Sequence, residues 1–588
     1  MTDPTPEAPA QRIDLASDQD AATAADWEKA TADVLRKSRR MGDADADSLV
    51  WDKLARTTLD NISVAPIGQR GDLEGLATTG RPGRHGDWDN RTPLQGGDAK
   101  RLNEEALADL ENGATSLLLE LDGAVDLEVA LAGVFLDLAP VTLRRPTPEQ
   151  SAALADVLAG RADAPHPANN LGADPITAEV FGHAGTGARP DDAFLPTVAR
   201  AKGLGIRGVV VDGTVLHDRG ASDAQELGWT MAVGAHYLRL LSDAGHTVDE
   251  SAALLEFRYS ATDEQFPTIA KLRAARRLWA RVLELSGGSP APQHQHVVTS
   301  SPMMTTYDPY VNMLRTTVAA FAAGVGGADA VTVLPFDARL GRSEAFGRRI
   351  ARNTSSLLTA ESHLGKVTDP AGGAYAVEKL TDDLARAGWA EFTQIEADGT
   401  IASDEALSAV KVRVNSVRDR REEQVAQRTR PITGVSEFPH LGETLPEREG
   451  RGLSDGAIAY AWAFEDLRRD PAPAPVFLAT MDTVAAHTAR ATFAANLFAA
   501  GGIGVVQAGA TAGVEDLIAA YEGQQVACLA GTDAAYAQWG AEAIAALRTA
   551  GVTHVIVAGK PGDLAVDDSC AMGLDALAFL HRTREALA

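Results

Sequence analysis

"PVFLATMDTVAAHTARATFAANLFAAGG" (Pro475–Gly502) reads as one repeat of an α/β fold. The apolar run Val476–Ala479 suits a buried strand, a short loop follows, and a helical pattern runs to the stop at Gly501-Gly502. The alternation continues downstream in "GGIGVVQAG", "QQVACLAG" and "VTHVIVAG", with helix patterns between. Residues 475–588 therefore read as a small doubly wound α/β domain of flavodoxin-like type. One histidine, His487, lies near the strand-to-helix turn. It is open as a metal ligand, and the favoured expectation is a solvated loop histidine.

Working upstream, "RRDPAPAP" (Arg468–Pro475) marks a domain boundary, because successive prolines end regular structure. Residues 396–474 read as a helical segment and linker, with a charged helix over Asp404–Arg428. Before that, strand-like and helix-like runs alternate from about Leu102 to Leu380. Thr115–Leu121, Gly133–Leu138, Gly208–Gly213, Leu254–Ser260, His296–Ser301 and Ala330–Asp337 are short, apolar and β-branched or aromatic. Long helix patterns such as Phe266–Leu285 separate several of them. Alternation on this scale predicts a parallel sheet with helical crossovers, and its length suits an eight-stranded β/α (TIM-type) barrel over 45–395. Residues 1–25 read as a disordered acidic tail and 26–44 as an amphipathic helical arm, which could cap the core or hold a partner.

The chain has 588 residues, enough for several full cores. Lys+Arg is 54 and Asp+Glu 81, so the net charge is 54 − 81 = −27. That charge argues against nucleic acid and anionic membranes as partners. There are 2 cysteines, Cys528 and Cys570, too few for a disulfide framework or a zinc site. No basic-then-apolar leader and no apolar run of about 18 residues appears, so the expectation is a cytoplasmic protein.

Two long strings carry a resemblance. "TSSPMMTTYDPYVNMLRTTVAAFAAGVGGADAVTVLPFDARLG" (Thr299–Gly341) and "FGRRIARNTSSLLTAESHLGKVTDPAGGAYAVEKLT" (Phe346–Thr381) resemble the barrel of cobalamin-dependent acyl-CoA mutases, with methylmalonyl-CoA mutases nearest. The resemblance runs from about residue 45 to 588. It implies a barrel that holds an acyl-CoA thioester and a C-terminal domain that holds adenosylcobalamin on a histidine in an Asp-x-His-x-x-Gly motif. It further implies radical interconversion of methylmalonyl-CoA and succinyl-CoA.

The implied residues are largely missing. Ala485 precedes His487 by two where the motif has Asp, and Arg490 follows by three where it has Gly. "ACLAGTD" lacks the serine that lines the nucleotide-tail slot, and Ala558-Gly559 stands for two glycines. Thr78 replaces the entrance tyrosine, with Arg81-Pro82 retained, and Asn169–His183 contains no carboxylate-gripping arginine. One implied group persists: His296, at the position of a histidine that hydrogen-bonds the thioester carbonyl.

In some members of the family a smaller homologous subunit, without cofactor and substrate groups, pairs with a large catalytic one. The chain resembles that smaller subunit. The expectations are a non-catalytic subunit, no intact cofactor site, a large mutase subunit as partner, and adenosylcobalamin bound by that partner. The alternatives are a mutase active by itself with altered cobalamin binding, and a mutase-derived interaction module. "HDRGAS" (His217–Ser222) reads as loop architecture before ligand site. "QHQH" (Gln293–His296) puts two histidines on one strand face without a third metal ligand nearby. No full dinucleotide fingerprint, Walker motif or nucleophile elbow is present.

Overall fold

The computed structural model describes residues 22–76, 81–181 and 190–588. Eight parallel strands close into a barrel: β1 (Asp89–Gly96), β2 (Ser116–Leu121), β3 (Val141–Leu143), β4 (Asn170–Ala173), β5 (Arg207–Asp212), β6 (Leu255–Ala261), β7 (Gln295–Thr299) and β8 (Ala330–Thr332). Closure runs through β8, whose Ala330 stands opposite His296 on one side and Asp89 on the other. Alternate residues face out. Phe257 on β6 meets Trp279 of the helix Gln265–Leu285 with ring centroids 4.6 Å apart, while its neighbours Glu256 and Arg258 face the axis.

The helical jacket is tight where small residues meet. A Cβ added at Gly228 would stand 2.6 Å from Glu391 Cβ, and one at Gly388 would stand 2.8 Å from Leu227 Cβ. The helices Asp223–Asp243 and Tyr375–Ala397 thus cross with their backbones almost touching.

One strand expectation is wrong. Gly133–Leu138 is a run of turns after the short helix Leu127–Ala130, and the strand lies further on, at Val141–Leu143. Val134 and Leu136 are buried, but Phe135 and Leu138 are each 71% exposed, so the apolar run covers the barrel rather than joining it. Two strands lie outside the strand-like runs read from the sequence: β1, from "DNRTPLQG", and β4, from "NLGA".

The tail expectation falls mostly on residues 1–21, outside the described residues. The arm helix runs Ala24–Lys37, two residues earlier than read, because Thr23 and Asp26 form a capping box at its start. Its Ala32 and Leu35 pack with Met41 and Val50, and Trp27 lies 4.5 Å from Trp51 between ring centroids.

The C-terminal sheet has strands β9 (Val476–Thr480), β10 (Val505–Gln507), β11 (Val526–Ala530), β12 (His554–Ala558) and β13 (Asp568–Cys570), all parallel, in the order β10-β9-β11-β12-β13. That is the flavodoxin-like order. The last strand was not read from the sequence, being only "DSC". The linker between the two units does not trail free. It folds over the C-terminal mouth of the barrel: Tyr460 N–H donates to Pro302 O at 2.8 Å, Ile458 N–H to Asp218 O at 2.8 Å, and Arg448 Nε to Asp337 at 2.8 Å.

Candidate functional site

The barrel axis is filled by charge. From β1, Arg91 Nη1 donates to both carboxylate oxygens of Glu256 on β6, at 3.0 and 3.1 Å. Two residues along β6, Arg258 Nη1 donates to Asp212 at the end of β5 at 3.0 Å. Arg144, just past β3, pairs with Glu120 on β2 at 2.9 Å, and Arg451 of the linker takes that carboxylate's other oxygen. Arg91, Glu256, Arg258 and Asp212 are all buried. Burial alone would push the Glu256 carboxyl up; Arg91, Arg207 and Arg258 together hold it below the usual carboxylate range. Such pairs persist in a dry interior only because each charge has a partner and hydrogen bonds.

His296 sits inside this network. Its Nδ1 accepts from Arg258 Nε at 3.1 Å, so the ring proton is on Nε2, which stands 2.8 Å from Thr332 Oγ1. Thr332 in turn donates to Arg91 O at 2.8 Å. Both nitrogens are spent on protein groups. Burial first, then the cations Arg91, Arg258 and Arg144, push the His296 pKa well down, so the ring is neutral. Among the described residues no group of three His, Cys, Asp or Glu is placed to hold a metal ion, so "QHQH" gathers no third ligand.

The "HDRGAS" loop follows β5. His217 Nε2 lies 2.7 Å from Ser300 Oγ, and Nδ1 lies 3.9 Å from Glu226, which is itself bonded to Lys271 Nζ at 2.6 Å. Burial, then Lys271 and Arg421, push the His217 pKa well down. Asp218 pairs with Arg145 at 3.4 Å and is held by the linker. Beside this loop, above the Arg258–Asp212 pair, a cavity of about 640 Å³ opens between the ends of β2–β5 and the helices Pro148–Gly160 and Pro190–Leu204.

In the C-terminal sheet a ligand would enter at the carboxyl ends of β9 and β11, where strand order reverses. Side chains fill that crevice. Tyr536 Oη accepts from Gly531 N–H at 3.0 Å and shares its proton between Ala558 O at 2.8 Å and Leu529 O at 3.1 Å. Arg490 lies over the Tyr536 ring, its Cζ 4.9 Å from the centroid, and its Nη1 donates to Gly531 O at 2.8 Å. Arg490 also covers Gly559: a Cβ there would stand 3.3 Å from its Cζ. His487 is not a solvated loop histidine. It lies in the first turn of the helix Val484–Ala500 and is 2% exposed, with Nδ1 buried and unbonded. Asp482 turns elsewhere, accepting from Trp539 Nε1 at 3.3 Å.

A family model described as methylmalonyl-CoA mutase matches residues 199–513. The chain is 43% identical to the methylmalonyl-CoA mutase small subunit of Streptomyces virginiae, covering 98% of this chain and 99% of that one. It is 34% identical to the methylmalonyl-CoA mutase small subunit of Propionibacterium freudenreichii subsp. shermanii, over 98% and 96%. It is 40% identical to the probable methylmalonyl-CoA mutase small subunit of Mycobacterium tuberculosis, over 91% and 92%.

The chain belongs to the methylmalonyl-CoA mutase family.

Methylmalonyl-CoA mutases use cobalamin, and the residues here do not fit that group. The axial imidazole that the family resemblance implies would have to face the crevice; His487 is turned inward without an aspartate partner. The slot beside Ala558 and Gly559 is closed by Arg490, which the sequence shows in place of the motif glycine, and by Tyr536, which sequence reasoning passed over. Of the barrel positions, Thr78 and residues 182–183 lie outside the described residues. The retained Arg81-Pro82 pair is architectural: Arg81 bonds Glu378 at 3.0 Å, and Pro82 packs against Gly327.

Proposed function

We propose that this chain is the non-catalytic small subunit of a heterodimeric cytoplasmic methylmalonyl-CoA mutase. A large partner subunit binds adenosylcobalamin and carries out the interconversion of methylmalonyl-CoA and succinyl-CoA. The small subunit supports that assembly and holds no cofactor of its own. One observation carries the reading: the groups in the positions where the chemistry would occur are engaged or covered by the chain's own side chains. The barrel axis is closed by Arg91–Glu256 and Arg258–Asp212, with His296 consumed between them. A thioester carbonyl cannot take a hydrogen bond from a ring whose two nitrogens are already engaged. In the C-terminal sheet, Tyr536 and Arg490 close the crevice.

The similarity to chains named small subunit, over nearly full length, supports the partner. The test is reconstitution: assay this chain, the large subunit and their mixture for mutase turnover, with size exclusion on each. The reading expects turnover in an equimolar complex and none from this chain alone. Turnover by this chain alone would return it to the catalytic members.

A further inference from the structure

Before it crosses the barrel mouth, the linker turns over the start of the helix Val311–Val325. The stretch "TGVSEFPHLGE" (Thr433–Glu443) makes that turn. Arg315 Nη2 donates to Thr433 O at 2.7 Å, and Asp308 N–H donates to Glu443 Oε1 at 2.6 Å. A Cβ at Gly434 would stand 2.6 Å from Asp308 Cβ. Large apolar side chains beside these contacts face water. Phe438 is 74% exposed and Leu441 43%. Tyr310 and Leu314, one helical turn apart, are 57% and 68% exposed.

The backbone is strained at the same spot. Phe438 has φ 55° and Arg428 φ 56°, in the left-handed region that bulky side chains rarely enter. Pro439 adds to the strain, because a proline drives the residue before it towards extended backbone. Polar contacts hold the turn in place. Asn496, on the helix Val484–Ala500 of the C-terminal unit, accepts from Phe438 N–H at 2.9 Å and donates to Glu437 at 2.9 Å. Glu437 pairs in turn with Arg428 at 2.5 Å. Strain is thus maintained to fix an aromatic ring outside the chain's own core. Strained backbone of this kind gathers at ligand clamps.

We infer, on the heterodimer reading above, that Phe438 is the anchor by which this chain docks on the large mutase subunit, with Leu441, Tyr310 and Leu314 around it. A pre-fixed aromatic among aliphatic neighbours has the make-up of an interface centre, where charged groups are depleted. The barrel helix, the linker and the C-terminal helix that carries Asn496 all build the site, so it fits a folded surface with an apolar pocket. A second copy of this chain is disfavoured as the occupant, because each copy carries a net charge of −27 and repels the other.

The full-length chain and its variants are titrated with the large subunit, and the melting temperature of each chain is recorded beside its dissociation constant. Phe438→Asn removes the ring and suits the left-handed backbone. It should raise the dissociation constant by about tenfold or more, while the melting temperature of the chain holds or rises. Leu314→Ser should also weaken binding, at an unchanged melting temperature. Phe135→Ser, at an exposed residue of another turn, should leave binding unchanged. Unchanged binding by Phe438→Asn or Leu314→Ser, an equal loss with Phe135→Ser, or a lower melting temperature for Phe438→Asn would overturn the inference. If the parent chain forms no complex with the large subunit, the heterodimer reading falls and takes this anchor with it. If the parent binds and the variants bind equally well, that reading stands and only the anchor is lost.

Discussion

Arg258 Nε donates to His296 Nδ1 at 3.1 Å, and that contact engages the ring that the family resemblance places beside a thioester carbonyl. With Nδ1 occupied, the ring proton lies on Nε2 and is spent on Thr332. His296→Gln should therefore leave the reconstituted complex's mutase kcat/KM within about twofold while costing about 1–3 kcal/mol of stability, since buried donors lose their acceptor. Denaturant midpoints and a mutase assay on one preparation check both halves. A large loss of turnover at unchanged stability would contradict the structural role.

The same histidine makes stability depend on pH. Its folded pKa lies well below 6.5, so it is neutral in the native state, whereas the unfolded chain takes up a proton as pH falls through about 6.5. Below that pH the unfolded state binds more protons, and the native advantage shrinks. Relative to His296→Gln, the parent should lose stability as pH falls from 7 to 5. The comparison with the variant matters because buried carboxyls work the other way: burial raises Asp60 and Asp174 each to about 6. A parent-to-variant difference that does not change with pH would rule this out.

Arg91 and Glu256 form a pair in which each needs the other. Arg91→Met should destabilise the chain by about 3–5 kcal/mol, because it strands a buried carboxylate. Adding Glu256→Gln should recover most of that loss. A double-mutant cycle in guanidinium measures the coupling, and additive costs would show that the axis is not held by this pair.

Tyr536 closes the crevice of the C-terminal sheet with one hydroxyl and three backbone partners. Tyr536→Phe should cost about 1–3 kcal/mol. Tyr536→Ala, though it opens space, should give no corrinoid binding, because His487 remains inside and Arg490 remains over Gly559. Corrinoid uptake by Tyr536→Ala would mean that the imidazole can still turn outward.

Much of this architecture is visible in the sequence where strands are buried on both faces. Val209–Val211, Val297–Val298 and Val555–Val557 are apolar in succession because helices cover one side and the core the other. β1 is not visible in this way. Its inward residues are polar, Arg91 among them, and it contains a proline, so "DNRTPLQG" has the composition of a loop. Its strand conformation is imposed by closure with β8 and β2. Gly133–Leu138 fails for the opposite reason: its apolar run suits a strand, but Val134 and Leu136 are buried from a run of turns. For the site, absences were legible and replacements were not. That Ala485 and Arg490 break a cobalamin motif can be read directly, whereas Tyr536 filling the slot depends on a turn near Ala558 that only the fold creates. The charged axis left one sign in the sequence, Glu256 and Arg258 alternating within an otherwise apolar strand.

The central claim is that this chain holds no cobalamin and its partner does. The most direct test is corrinoid content: incubate adenosylcobalamin with the isolated chain and, separately, with its equimolar complex with the large subunit, pass each through size exclusion, and read the visible spectrum of the protein peak. The account predicts a colourless chain and one corrinoid per complex. Stoichiometric corrinoid on the isolated chain, or two per complex, would contradict it.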